Sequence, residues 1–451
     1  MQVFRDPERK EWKAILARPV IDAIALEQKV IQILAEVKAG GDAAVNGYTK
    51  QFDGVDIKEM QVSEAEINEA EKILPAELKN AIRQAAANIK TFHARQVSPV
   101  EIIETMPGVQ CWRKSVAIEK VGLYIPGGTA PLFSTLLMLA IPANIAGCKE
   151  IVLCTPPGKD GNIHPAILFS AATVGLTKIF KAGGVQAIAA MAYGTESIPQ
   201  VYKIFGPGNQ YVTCAKQLVQ KDGIAIDMPA GPSEVAVYAD DSANPAFVAA
   251  DLLSQAEHGA DSQVVLVLTN EAIAKQVEKE IEKQLQQLPR KAIAGKALEN
   301  SKTIIVKNEL AAIDLLNEYA AEHLILSCKN ADGMAEKIVN AGSVFLGHYS
   351  PESVGDYASG TNHTLPTNGN AKAYSGVSVD SFVKKITFQR LSAEGLKNIA
   401  NTVELMAAAE GLEAHKNAVR VRREEFFGNA RYMIFLLRRS NLFIARRAEY
   451  K

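Results

Sequence analysis

From Val121 to Pro207 the chain alternates short β-rich runs with apolar helical stretches, and this alternation constrains the fold more than any other feature. VGLYIPGG reads as a strand entering a Gly/Pro turn. An apolar helix (PLFSTLLMLAIPANIAG), a strand (EIVLCTP), a helix after Asn162, a strand (KIFKAGG), a helix (VQAIAAMAYG) and a strand before GPGN follow. That order marks a parallel sheet flanked by helices. IDMPAGPSEVAVYAD, from Ile226 to Asp240, is a further turn and strand at which the chain leaves this domain. A second α/β pattern follows, with a helix through SQAEHGA, the strand QVVLVLT, a charged helix, the strand KTIIVK and a helix leading into EYAAEH.

Upstream, Ile24 to Gln51 and Ser63 to Arg95 read as helical, and SEAEINEAEKIL carries a capping-box signature at Ser63 and Glu66. Residues 21–123 are expected to pack with 235–380 as one α/β domain, with 124–234 inserted as a second. Residues 1–20 form an N-terminal arm, 381–425 a helical tail and 426–451 an extension. A chain of 451 residues exceeds one ordinary hydrophobic core, which agrees with two large domains.

Net charge of −1 argues against a general nucleic-acid or anionic-membrane binder. No apolar run reaches the roughly 18–20 residues of a membrane span, and the charged start MQVFRDPERKEWK lacks a signal-peptide core. Five scattered cysteines without C-x-x-C read as reduced thiols of a cytoplasmic protein.

Chemistry concentrates in a few segments. The chain has seven histidines, and two of them, His258 and His323, stand beside carboxylates in apolar surroundings expected to be helical. Gln255 and His258 are three apart and share a helix face, a spacing that can hold a divalent ion; Glu257 remains open as a partner that hydrogen-bonds a ligand or as a ligand itself, and a partly buried structural His remains open too. Glu322 and His323 are adjacent, so they can straddle a cleft as proton acceptors, or be a surface Glu and a half-buried His. Tyr349 to Ser375 reads as a long Gly/Ser/Asn/Pro-rich loop displaying Asp356 and His363. His415 and Glu410 lie on a polar helical stretch that says little by itself. The turns IPGGTAPL and FGPGNQYV precede helices whose N-termini suit phosphates, although neither is G-x-G-x-x-G.

VGLYIPGGTAPLFSTLLMLAIPANIAGC, GPGNQYVTCAK, IDMPAGPSEV, DLLSQAEHGADSQ, NEYAAEHL, VGDYASGTNHTLPT, AYSGVSVDSFVKK and EGLEAHKNAVRVR together resemble the histidinol dehydrogenase family, in order and to about Arg423. The resemblance implies two incomplete Rossmann-like domains and NAD-dependent, zinc-dependent, four-electron oxidation of L-histidinol to L-histidine through L-histidinaldehyde, the last step of histidine biosynthesis. It implies one zinc per subunit on Gln255, His258, Asp356 and His415, and Glu322 and His323 as proton acceptors. Ser233, His363 and Glu410 complete the substrate pocket, which also includes Gln255, His258, His323, Asp356 and His415. Tyr124, Gln186 and Asn209 contact NAD on the inserted domain. It further implies a homodimer whose tail, bearing Glu410 and His415, reaches the partner's site. A zinc/NAD alcohol dehydrogenase for another amino alcohol is the alternative. The stretch Phe426 to Lys451 departs from the family pattern, which ends soon after AVRVRRE.

Overall fold

The computed structural model describes residues 1–19, 23–127, 131–229 and 231–424; the extension from Phe426, and residues 128–130 of the IPGGTAPL turn, lie outside them. The described chain divides into two compact units, residues 1–97 with 117–383, and 98–116 with the segment from 384 onward.

In the first unit, strand β1 (Gln2–Arg5) precedes helices α1 (Arg9–Ile15), α2 (Ala23–Asp53), α3 (Glu64–Ile73) and α4 (Ala76–Ala94). Strands β2 (Ile102–Met106) and β3 (Val109–Ala117) form most of the chain's excursion into the second unit. The path returns with β4 (Lys120–Tyr124), α5 (Phe133–Ala146), β5 (Glu150–Thr155), α6 (Pro165–Thr173), β6 (Ile179–Lys181), α7 (Gly184–Tyr193), β7 (Lys203–Phe205), α8 (Gln210–Lys221) and β8 (Ala225–Ile226). Next come β9 (Glu234–Ala239), α9 (Pro245–Ala256), β10 (Gln263–Leu268), α10 (Glu271–Leu285), α11 (Lys291–Glu299), β11 (Lys302–Ile305), α12 (Glu309–Tyr319), β12 (His323–Ser327), α13 (Ala331–Ala335), β13 (Ser343–Leu346) and α14 (Glu352–Tyr357). Strand β14 (Val383–Leu391) and helix α15 (Ala393–Ala409) follow.

The first unit holds two sheets. One has five strands in the order β6-β5-β4-β7-β8, the other six in the order β1-β11-β10-β9-β12-β13. Every pairing in both is parallel. Each follows the Rossmann order 3-2-1-4-5 without the sixth strand, and β1 adds an edge to the second. The expected N-terminal arm thus contributes a strand, pairing in register from Gln2–Lys302 to Arg5–Ile305.

Local sequence explains the helix boundaries. Ser63 Oγ accepts from Glu66 N, and Glu66 Oε2 accepts from Ser63 N, so the expected capping box opens α3. Pro75 separates α3 from α4 where one helical stretch was expected, because proline fits the start of a helix and not its interior. Helix α5 is apolar on every side, and Ser134 through Ala143 are all buried.

The packing differs from the expected domain grouping in one respect. Leu26, Val30, Ile33 and Val37 of α2 share a core with Ile188 and Ala192 of α7, and Ile82 and Ile89 of α4 share one with Leu136 and Leu139 of α5. Helices α2 to α4 therefore cover the five-stranded sheet rather than joining residues 235–380. An apolar stripe records that a helix face is buried, not which of two sheets buries it. Each fully buried Leu or Ile contributes roughly 1.5–3 kcal/mol, so the choice is strongly held once made.

The second unit contains a three-stranded sheet in the order β14-β3-β2, with β2 and β3 antiparallel, followed by α15 and a helical stretch over residues 413–424. The tail expected to be helical from residue 381 thus begins with a nine-residue strand.

Candidate active site and cofactor cleft

The acid/base candidates gather at the amino-terminal edge of the six-stranded sheet. Helix α12 ends at Tyr319, and Ala320 turns the chain left-handed with φ 53°. β-rich HLILS then starts β12, so His323 is the first residue of a strand and Glu322 its immediate predecessor. Both were expected on a helix. The helix stop at Ala320 and the strand that follows decide otherwise.

Glu322 and His323 are 7% and 3% exposed. Glu322 Oε2 accepts from the backbone N–H of Glu234 at 2.9 Å and from Gln255 Nε2 at 3.3 Å. His323 Nδ1 lies 3.8 Å from Glu322 Oε2 and 3.5 Å from Gln255 Nε2. On the other side of the ring, His323 Nε2 lies 3.3 Å from Asp356 Oδ1, close enough for charge attraction but without hydrogen-bond alignment. Burial raises the Glu322 carboxyl, against the lowering pull of His323. For His323 burial acts downward, but Glu322 and Asp356 outweigh it and the imidazole is raised. Asp356 is held low despite burial, by the three imidazoles of His323, His363 and His258.

Helix α9 ends at Ala256, and the N–H of His258 donates to the carbonyl of Gln255 at 3.2 Å. The i,i+3 pair therefore straddles the helix end. Gln255 is 1% exposed, Glu257 is the half-buried C-cap of α9, and His258 is exposed. Asp356 sits on the short helix α14, not on an open loop as expected; the segment ESVGDY is helical through Tyr357 and ends at the C-cap Ala358. His363 is fixed at both ring nitrogens, Nδ1 on the Asp356 carbonyl at 2.8 Å and Nε2 on Thr135 Oγ1 of α5 at 2.9 Å. Ser233 immediately precedes β9, beside Glu234. Glu410 caps α15 and His415 lies in the helical stretch 413–424, both in the second unit.

Three buried oxygens on this edge, Gln255 Oε1, Asp356 Oδ1 and Glu352 Oε2, lack hydrogen-bond partners. Buried acceptors left open are costly unless a ligand or ion completes them, and carboxylate plus amide oxygens beside an imidazole suit a divalent cation. Among the described residues no three His, Cys, Asp or Glu side chains form a metal-holding group. Of the expected set only His258 and Asp356 are of those types in the first unit, Gln255 being an amide.

Several of these neighbours carried no usable signal in sequence. Glu234 forms a buried bidentate pair with Arg18, at 2.8 and 2.7 Å, and Arg18 stacks on Tyr319 at 4.1 Å. This brace holds the start of β9, whose N–H holds Glu322. Residues 216 positions apart give no local pattern. Glu352, by contrast, stands four residues before Asp356, a helical spacing that could have flagged it.

A cleft of about 1690 Å³ opens elsewhere, at the carboxyl edge of the five-stranded sheet. Tyr124, Gln186 and Asn209 all line it, with Pro126, Thr155 and Asp53. None of the acid/base residues lines it. The Tyr124 hydroxyl accepts from Gly184 N at 3.0 Å, and Asn209 caps α8 by accepting from Tyr211 N and Val212 N. Gln186 Oε1 is buried and unpartnered. Gly206 is left-handed at φ 128°, and a side chain there would strike the Tyr124 carbonyl. Helices α7 and α8 both start at this edge, so the positive ends of their dipoles lie at the cleft. Helix α5 connects the two places, for its Thr135 holds His363 and the residue preceding its N-cap, Pro131, lines the cleft.

A histidinol dehydrogenase family model matches residues 16–423. The chain is 63% identical over 425 residues to a histidinol dehydrogenase of Bacteroides fragilis, covering 94% of this chain and 99% of the relative. It is 52% identical over 412 residues to the chloroplastic histidinol dehydrogenase of Arabidopsis thaliana, covering 91% and 88%. The crystal structure of histidinol dehydrogenase from Elizabethkingia anophelis superposes with a TM-score of 0.92 at 56% identity, covering 94% of this chain and 98% of that one. The chain belongs to the histidinol dehydrogenase family, oxidoreductases of histidine biosynthesis.

Proposed function

We propose that this chain oxidises L-histidinol to L-histidine in two NAD-dependent steps, through L-histidinaldehyde, with zinc bound by Gln255, His258, Asp356 and His415. The observation that carries the reading is the buried cluster in which Glu322 and His323 stand against Gln255 and Asp356, two of whose oxygens await a partner. When bound, zinc orients the substrate's nitrogens and NAD accepts one hydride in each step.

The chain's own groups move the protons. His323 takes the hydroxyl proton as the C–H hydride leaves, giving the aldehyde. Glu322 then takes a proton from water, whose oxygen adds to the aldehyde carbon; loss of the second hydride gives the carboxylic acid, which releases its remaining proton to leave the carboxylate. Two hydrides per histidinol account for the four electrons. Both groups are buried, so the transfers proceed away from bulk water. Ser233, His363 and Glu410 complete the substrate pocket. The Thr135 and Asp356 bonds fix the His363 ring, which lowers the entropy cost of orienting substrate.

Tyr124, Gln186 and Asn209 form the NAD side, supported by their common cleft and by the buried open oxygen of Gln186. The homodimer reading is supported by the second unit's own surface. Ile102 and Ile103 of β2 are each 56% exposed, and Met406 of α15 is 60% exposed, more apolar surface than a free edge ordinarily shows. Among the described residues no helix is long and apolar enough to cross a membrane; the reduced cysteines support a cytoplasmic location.

The test is NADH formation with L-histidinol, before and after chelation and zinc return. Two NADH per histidinol, lost on chelation and restored by zinc, is the expected result. Activity confined to another amino alcohol would replace the substrate assignment, and full activity after verified metal removal would end the zinc assignment.

A further inference from the structure

Glu352 is a buried carboxylate at this edge that the proposed reaction does not use. It is 1% exposed, at the first position of α14, one helical turn before Asp356 and on the same face. Its Oε1 is 2.9 Å from Ser254 Oγ, in the last turn of α9 beside Gln255. Its Oε2 is buried with no partner. A glutamate at a helix start needs only an exposed position to complement the helix dipole, so burial here calls for another reason. The bond joins two segments almost a hundred residues apart in sequence, each carrying an expected metal ligand.

We propose that Glu352 is a positioning residue: its hydrogen bond with Ser254 ties the start of α14 to the end of α9 and sets the spacing between Asp356 and Gln255. The inference rests on the zinc reading above. Ser254 has one hydroxyl proton, and the Asp251 carbonyl, also 2.9 Å from Oγ, competes for it. Whichever group donates, the Glu352–Ser254 contact holds the two helices together. Contacts of this kind, one bond removed from the metal, hold ligand orientation, and losing one typically lowers metal affinity by roughly ten- to a hundred-fold.

The test compares zinc retention by the full-length protein and its S254A, E352A and E352Q variants during dialysis against a graded chelator, with melting temperature recorded in parallel. S254A and E352A should lose zinc at roughly ten- to a hundred-fold lower chelator strength. E352Q, which can still bond to Ser254, should retain zinc close to the parent. S254A removes only a hydroxyl, so it keeps the test open if E352A fails to fold. Parent-like retention by S254A would overturn the inference, as would loss in E352Q equal to that in E352A. A parent chain that takes up no zinc would instead overturn the zinc reading itself, an outcome distinct from either.

Discussion

In the five-stranded sheet the strands at the order reversal, β4 and β7, end at Tyr124 and Phe205, and the large cleft opens just past those ends. In the six-stranded sheet the corresponding pair is β9 and β12, and the acid/base cluster lies before their beginnings, at Ser233–Glu234 and Glu322–His323. The carboxyl ends of that pair are closed by a polar network of their own: His348 bridges Ser242 and Ser327 at 3.1 Å each, and Asp240 accepts from Ser242 and Lys329. One strand order thus carries two candidate sites on opposite kinds of edge. The physical basis is the helices. At the carboxyl edge of a parallel sheet, helices begin, and their N–H groups favour phosphates. At the amino edge helices end, and their carbonyl ends favour cations. The α9 terminus that carries Gln255 and His258 is such an end. The pair of edges suits a chemistry that needs a dinucleotide and a cation at once, and strand order alone does not say which edge is used.

Three substitutions probe whether the edges are separable. The largest effect is expected from His323→Asn, which should slow the first oxidation by roughly 10²–10⁴-fold while zinc content and dinucleotide binding hold; pre-steady-state NADH formation measures it. Near-parent turnover would remove His323 as the proton acceptor. At the other edge, Gln186→Leu should raise the KM for NAD by about ten-fold, the loss of one buried hydrogen bond, and leave zinc retention unchanged. A matching loss of zinc would mean that the two edges are coupled through α5. The smallest effect is a pH displacement. Glu322 raises His323, and the neutral imidazole is the base, so the rate should climb with pH as His323 deprotonates. Glu322→Gln removes that upward pull, so the rising limb of the first oxidation should move to lower pH. A limb that stays put or moves upward would show that Glu322 does not set the His323 charge.

Much of this was legible in the residues themselves. The β/α alternation specified parallel sheets, and S-x-x-E specified where α3 starts, because backbone geometry and capping depend on neighbours within one turn. The family motifs named Gln255 over Glu257, a choice that spacing left open. Glu322 and His323 were singled out as candidates but expected on a helix, since the left-handed Ala320 that ends α12 has no glycine to announce it.

What the sequence determined by itself was therefore the local grammar: which stretches are strands or helices, where most begin, and which side chains can do chemistry. What only the tertiary structure decided was partnership. Arg18 with Glu234, Glu352 with Ser254, His363 with Thr135, and α2 to α4 on the five-stranded sheet are all contacts between distant segments. An apolar stripe or a lone carboxyl is compatible with many partners, and the selection among them depends on how the whole chain closes its two cores.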